Sequence, residues 1–206
     1  NDADSISNPF PTGVSNTSSS KALNDIKNIS VSPEQLIDRW KNDYPTLIQA
    51  LAEDTKRLTD CLKKDLCGEV QSPDQPYFDK MNTPSHGLLE HELTTLVFLQ
   101  EAGELKNKTL SDSQLMEMLD IENESIQRMA LELKLSRDID DQTFEALLNK
   151  TPSLLPQASA NSLSMLARES KKSEDRREQF LKTAESLLQS SDQNKAVEMA
   201  KRVPVS

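Results

Sequence analysis

Residues 85–105 read SHGLLEHELTTLVFLQEAGEL and form the most hydrophobic segment of the chain. Their apolar side chains recur on more than one face of a helix, and a helix with so wide an apolar surface is buried on several sides. We therefore predict a helix over residues 85–105 at the centre of the packing. Glu90, His91 and Glu92 interrupt the run, which falls short of the roughly 20 apolar residues that cross a bilayer, so no membrane span is expected.

The composition of the whole chain favours helices over strands. Of 206 residues only 4 are glycine and 4% are aromatic, which leaves little of what sheets and tight turns use. Residues that helices accept well, such as Leu, Glu, Lys, Gln and Ala, are abundant instead. We predict an all-α, multi-helix fold with almost no strand.

The formal net charge of -10 limits the classes of partner. Phosphate backbones should be repelled, and no basic patch with interleaved aromatic residues is present to overcome that repulsion. We therefore expect another protein, and no nucleic acid, as the partner.

The N-terminal part of the chain has too few apolar residues to offset the entropy of ordering it. The first 20 residues, NDADSISNPFPTGVSNTSSS, are dominated by Ser, Asn and Asp. We predict a flexible polar tether over residues 1–30 and a single helical domain over residues 31–206. Because the chain begins at Asn1 and not at Met, the tether suits an exported protein, periplasmic or secreted, and is compatible with a lipid anchor upstream of Asn1.

Long helices are predicted over residues 31–105, with one break and one loop. Ser32 and Gln35 have the spacing of a capping box, and a proline occupies the first helical position. An apolar stripe then runs from Leu36 to Leu62. Pro45 lies within it, so we expect a kink or a break near residues 42–44. Residues 72–84 contain three prolines and no periodicity, which predicts a loop.

A loosely repeated pair of helices is the main pattern of residues 110–203. Each pair ends in a helix in which a large apolar residue precedes an alanine. The pattern predicts a short α-solenoid of three helix-turn-helix pairs, in which the alanines allow neighbouring helices to approach and the large residues pack beside them. An irregular helical bundle is the alternative. The predicted packing residues are Met129 with Ala130, Leu166 with Ala167, and Met199 with Ala200.

Motifs for catalysis, cofactors and metals are not evident. The four scattered glycines provide neither a phosphate-binding loop nor a dinucleotide fingerprint, and no Gly-x-Ser-x-Gly turn occurs. His86 and His91 are five positions apart, which on a helix places their imidazoles about 140° apart rather than on one face. We therefore expect no catalytic residues, cofactor or metal site.

Cys61 and Cys67 are the only cysteines. Their spacing and the preceding helix do not fit a redox Cys-x-x-Cys pair. In a continuous helix they would lie about 9 Å apart along the axis, too far for a disulfide. Gly68, however, favours a chain reversal that would return Cys67 to Cys61. We favour a disulfide, and with it an oxidising compartment, over two thiols with Cys61 buried beside Leu62.

Two classes of function fit these features. The first is a non-enzymatic interaction or scaffold protein whose C-terminal helix pairs present a face to another protein. The second is a helical carrier or hydrolase-like enzyme with an apolar pocket around helix 85–105. Such a pocket would be lined by Leu93 and Phe98 with converging carboxylates, whereas a continuous stack of helices with an exposed groove would favour the first class.

Overall fold

The computed structural model describes residues 16–68, 82–106, 109–135 and 138–189. Every regular element in these ranges is helical, which confirms the all-α prediction. Short 3₁₀ turns, Thr151–Ser153 and Ser170–Lys172, precede the last two helices. The α-helices are α1 (Asn16–Ile26), α2 (Pro33–Arg39), α3 (Tyr44–Lys63), α4 (Pro84–Glu101), α5 (Asp112–Met118), α6 (Glu124–Leu135), α7 (Asp141–Lys150), α8 (Pro156–Glu169) and α9 (Glu174–Leu188).

Local sequence signals set several helix starts. Ser32 and Gln35 form the predicted capping box, because each side chain accepts a hydrogen bond from the other residue's backbone N–H. Ser111 and Gln114 do the same at the start of α5. These bonds satisfy amide groups that the helix itself leaves unpaired. Side-chain caps are also made by Asn123, Asp140 and Ser173.

Pro45 separates two helices, as predicted. The helix α2 ends at Arg39, and α3 begins at Tyr44 with Pro45 in its first turn. Asp43 caps α3 by accepting a hydrogen bond from the backbone of the first turn. The proline is thus placed where its missing N–H costs nothing.

The helix α4 lies at the centre of the packing and contacts α2, α3 and α6. Leu89, Leu93, Leu96 and Leu99 are fully buried, which confirms the central position predicted for this segment. The helix ends at Glu101, before the predicted residue 105. The reason is Gly103, whose φ of 77° reverses the chain.

Ordered structure begins earlier than the predicted boundary at residue 31. The helix α1 packs against α3, and Ala22 and Ile26 are fully buried. Asp25 accepts hydrogen bonds from Arg39 and from the indole of Trp40, which ties α1 to α2. Residues 16–26 of the predicted tether thus form a helix that packs on the rest of the chain. Residues 1–15 of that tether lie outside the described residues, as does most of the predicted loop.

Three helices, α4, α6 and α8, lie side by side and run in the same direction. Between α4 and α6, Glu90 accepts a hydrogen bond from Asn123, and ten residues further along α4 Gln100 donates to the Glu132 carbonyl. Between α6 and α8, Glu124 at the start of α6 accepts from the backbone N–H of Gln157. The helix α5 packs on α6, α7 packs on α8, and α9 contacts both α7 and α8.

Arg176 fastens α9 to the two preceding helices. Its side chain is largely buried and donates hydrogen bonds to Asp141 and Glu169 and to the carbonyl of Ile139. The guanidinium also lies 5.2 Å from the centre of the Phe144 ring. These contacts fix the end of the described bundle.

The structure places four of the six predicted repeat-packing residues. Ala130 and Leu166 are 1% and 0% exposed, Ala167 is buried at 9%, and Met129 is half-buried. Met199 and Ala200 lie outside the described residues. The second helices of the first two predicted pairs, α6 and α8, are in contact. Continuous stacking of three pairs stays a prediction.

We expect Ala130→Leu and Ala167→Leu each to lower the free energy of unfolding by about 1–3 kcal/mol, because added bulk overpacks a close helix contact. Denaturant titration followed by circular dichroism measures the change. Gln157→Leu is the matched control, since it adds a leucine at an exposed position of α8. Equal tolerance of all three substitutions would contradict close packing at the alanines.

Candidate functional site

A cleft of about 320 Å³ opens between α6 and α8. Leu131 and Met165, which are 1% and 2% exposed, form its apolar floor. Ser164 lines the cleft on the side of α8, where its small side chain fills little of the space between the two helices. The lining residues are Arg128, Leu131, Glu132, Asn161, Ser164, Met165 and Arg168.

The register of α8 against α6 is set by Gln127, which is 2% exposed. Its amide nitrogen donates to the carbonyls of Leu119 and Ile121, and its amide oxygen accepts from the backbone N–H of Leu155. Leu155 occupies the N-cap position of α8 and has no side chain that can cap it. Together with the bond from Gln157 to Glu124, α6 thus supplies the caps that the sequence of α8 lacks.

Two exposed arginines stand at this cleft, Arg128 from α6 and Arg168 from α8. Neither makes a hydrogen bond or an ion pair with any residue in the described ranges. Glu132 is the one acidic residue in the lining, and it forms no ion pair with Arg128 one turn earlier. The cleft can therefore offer two guanidinium groups to an anionic group from outside.

A second cluster of charged groups is buried between α3 and α4. Asp54 and Glu92 are 2% and 0% exposed. Arg57 donates to both oxygens of Asp54, at 2.6 Å and 3.1 Å. No donor in the described ranges reaches either oxygen of Glu92, so a carboxylate there would be uncompensated.

Burial, and then a hydrogen bond to Asp54, raise the pKa of Glu92 to about 10. Burial acts in the same sense on Asp54, but hydrogen bonds from Arg57 and Glu92 outweigh it and lower the pKa of Asp54. At neutral pH the pair is thus one carboxylic acid that donates to one carboxylate.

Two carboxyl groups with separated pKa values are an arrangement that general acid–base catalysis uses. Here, however, both are sealed between helices, and they line neither the α6–α8 cleft nor the clefts beside Arg176 and Gln179. Leu93 is fully buried and Phe98 is half-buried, and neither lines those clefts. The apolar pocket around α4 that the carrier or enzyme alternative requires therefore stays a prediction.

The two histidines do not come together as ligands. His86 belongs to the first turn of α4, where its Nδ1 accepts a hydrogen bond from the backbone N–H of Thr83. His91 is half-buried, and burial lowers its pKa, so that it is neutral at physiological pH. Across the described ranges, no group of three or more His, Cys, Asp or Glu side chains could hold a metal ion.

Cys61 and Cys67 form the predicted disulfide, with their Cα atoms 4.9 Å apart. The helix α3 ends at Lys63, and the chain reverses at Asp65, whose φ of 53° is left-handed. Gly68 is also left-handed but follows the second cysteine. The reversal between the two cysteines was predicted at Gly68, and it occurs at Asp65 instead.

We expect alkylation without reductant to label neither cysteine of the isolated protein, and alkylation after reduction to label both. Reduction should lower the free energy of unfolding by only about 2 kcal/mol, because the closed loop is short. Mass spectrometry gives the first result and denaturant titration the second. Two labelled thiols without reductant would contradict the bridge and remove the main support for export.

Comparisons with known proteins suggest no function for this chain, so a function has to be inferred from its residues. No family model matches the chain, and neither the curated proteins nor the solved structures gave a match. Within the described ranges, no helix has the length and apolar character needed to cross a membrane. The cleft between α6 and α8 is accordingly the feature from which a function can be argued.

Proposed function

We propose that the protein is a non-enzymatic interaction or scaffold protein that binds another protein through the α6–α8 cleft. The observation that carries this proposal is the composition of the cleft, with an apolar floor between two arginines that have no partner in the described ranges. Protein interfaces typically combine a buried apolar centre with a polar rim, and arginine is enriched in them.

We further infer that α5–α6 and α7–α8 are successive units of a short α-solenoid. This is supported by the parallel contact of α6 with α8, by the burial of Ala130 and Ala167, and by the caps that α6 provides to α8. Stacked helix pairs offer extended surfaces for partners. The third unit would begin with α9 and continue into residues outside the described ranges.

An exported protein, periplasmic or extracellular, is the setting that we propose for this interaction. The disulfide between Cys61 and Cys67 supports it, because such bonds persist in oxidising compartments. The competing proposal, a carrier or hydrolase-like enzyme, has its best candidate groups in Asp54 and Glu92, whose burial keeps substrate away from them.

Site-specific photo-crosslinking tests the interaction. A photoreactive amino acid at Ser164, exposed in the cleft, should give a discrete adduct with one protein in an extract of the source cells. Excess unlabelled protein should suppress that adduct, and the same probe at Lys56, exposed on α3, should not give it. Absence of an adduct from Ser164, or the same adduct from Lys56, would overturn the proposed binding face.

A further inference from the structure

We propose that the α6–α8 cleft binds an acidic peptide segment of the partner, with side-chain carboxylates held by Arg128 and Arg168. The inference rests on the proposed function and adds the chemical class of the ligand. It starts from the distribution of charge in a chain whose formal net charge is -10. Although acidic residues outnumber basic ones, Arg128 and Arg168 form no ion pair in the described ranges, so both guanidinium groups can bind an anion from outside.

The described ranges contain six arginines, and four of them pair with carboxylates. The two without such a partner, Arg128 and Arg168, both line the same cleft although they are 40 positions apart in sequence. The four paired arginines are Arg39, Arg57, Arg176 and Arg177.

The rest of the lining favours carboxylates on a peptide over a phosphate group. Leu131 and Met165 provide an apolar floor that can take an aliphatic side chain lying between two acidic ones. Asn161 and Ser164 can hydrogen-bond a peptide backbone. Glu132 and the overall negative charge oppose a dianion more strongly than a single carboxylate. A guanidinium binds carboxylates and phosphates alike through two parallel hydrogen bonds, so the preference for a carboxylate rests on the apolar floor and on Glu132.

The test uses the full chain and a defined probe. The probe is a 12-residue peptide of three Glu-Ser-Leu-Ser repeats, acetylated and amidated so that its charges come from side chains alone. A matched peptide carries Gln in place of Glu. Isothermal titration calorimetry at low and at physiological salt should show binding of the Glu peptide, at least tenfold weaker binding of the Gln peptide, and weakening by salt.

Substitutions of the two cleft arginines test whether the peptide binds in the cleft. Arg128→Gln and Arg168→Gln should each weaken binding about tenfold, which corresponds to about 1.4 kcal/mol. Arg177→Gln is the control, because this exposed arginine pairs with Glu174 outside the cleft. Arg128→Lys and Arg168→Lys should recover part of the affinity, since they keep the charge but lose the paired hydrogen bonds.

Several results would overturn the inference. These are no binding of the Glu peptide at millimolar concentration, equal binding of the Gln peptide, or unchanged binding after both cleft arginines are replaced. Tighter binding of a phosphoserine peptide would mean that the ligand is a phosphate, and concentration-dependent dimers lost in the double variant would mean that it is a second copy of this chain. An adduct from Ser164 without peptide binding would leave the proposed function standing and reject only its ligand class.

Discussion

Glu92→Gln should make the protein about 5 kcal/mol more stable than the wild type at pH 8, and only about 1 kcal/mol more stable at pH 5. The pKa of Glu92 is about 10 in the folded state, whereas an unperturbed glutamate has a pKa of 4.5. Between these values the folded state holds a proton that the unfolded state has released. The proton on Glu92 therefore stabilises the folded wild type fully below about pH 4.5. This stabilisation is lost, by about 1.4 kcal/mol per pH unit, as the pH rises toward 10.

Glutamine keeps the size of the side chain and can still donate a hydrogen bond to Asp54, but it does not titrate. The difference between the free energies of unfolding of the two proteins, measured from pH 5 to 8, thus reports the titration of Glu92 alone. Asp54, whose pKa is lowered, acts in the opposite sense and below this window. Glu101→Gln, at an exposed position of the same helix, should reproduce the wild-type pH dependence. A Glu92→Gln curve parallel to the wild type would mean that Glu92 is ionised when folded.

The burial of a polar residue in α4 could be anticipated from the sequence, although its partner could not. Three consecutive helical residues, Glu90, His91 and Glu92, spread over about 200° of the helix surface. A helix buried on several sides must then bury at least one of them. Which one is buried, and that it meets Asp54, depends on how α3 packs against α4. That information lies in the tertiary arrangement and not in the local pattern.

Local signals predicted local structure well. The capping box at Ser32, the break at Pro45 and the disulfide all arise from residues close together in the chain. The helix α1 was missed because its buried residues, Ala22 and Ile26, make only one short stripe within a polar segment. Tertiary contacts with α3, rather than a strong apolar periodicity, stabilise it.

No local sequence signal predicted the cleft between α6 and α8. Arg128 and Arg168 are ordinary charged residues on the exposed faces of two predicted helices. They become a candidate site only because α6 and α8 lie side by side in one register and because the other described arginines have carboxylate partners. The repeat predicted from Ala130 and Ala167 implied that these two helices are in contact. It did not specify how far one helix is shifted along the other.

Gln127→Ala should lower the free energy of unfolding by about 3 kcal/mol, since it removes three buried hydrogen bonds and leaves the groups they satisfied without partners. The loss should be largest where α8 begins. Hydrogen exchange should therefore show the Leu155 amide unprotected in the variant and protected in the wild type. Gln157→Ala is the control, because the side chain of this exposed glutamine is not part of the cap.

The same substitution links stability to the proposed function. If Gln127 sets the register of α8 on α6, then Gln127→Ala should weaken binding of the Glu peptide although both cleft arginines remain. The comparison is made under conditions where circular dichroism shows the variant still folded. Wild-type stability together with a protected Leu155 amide would show that α8 does not depend on this cap. Reduced stability with unchanged peptide affinity would separate the cap from the cleft, because the packing of α6 on α8 would then position the arginines without the cap.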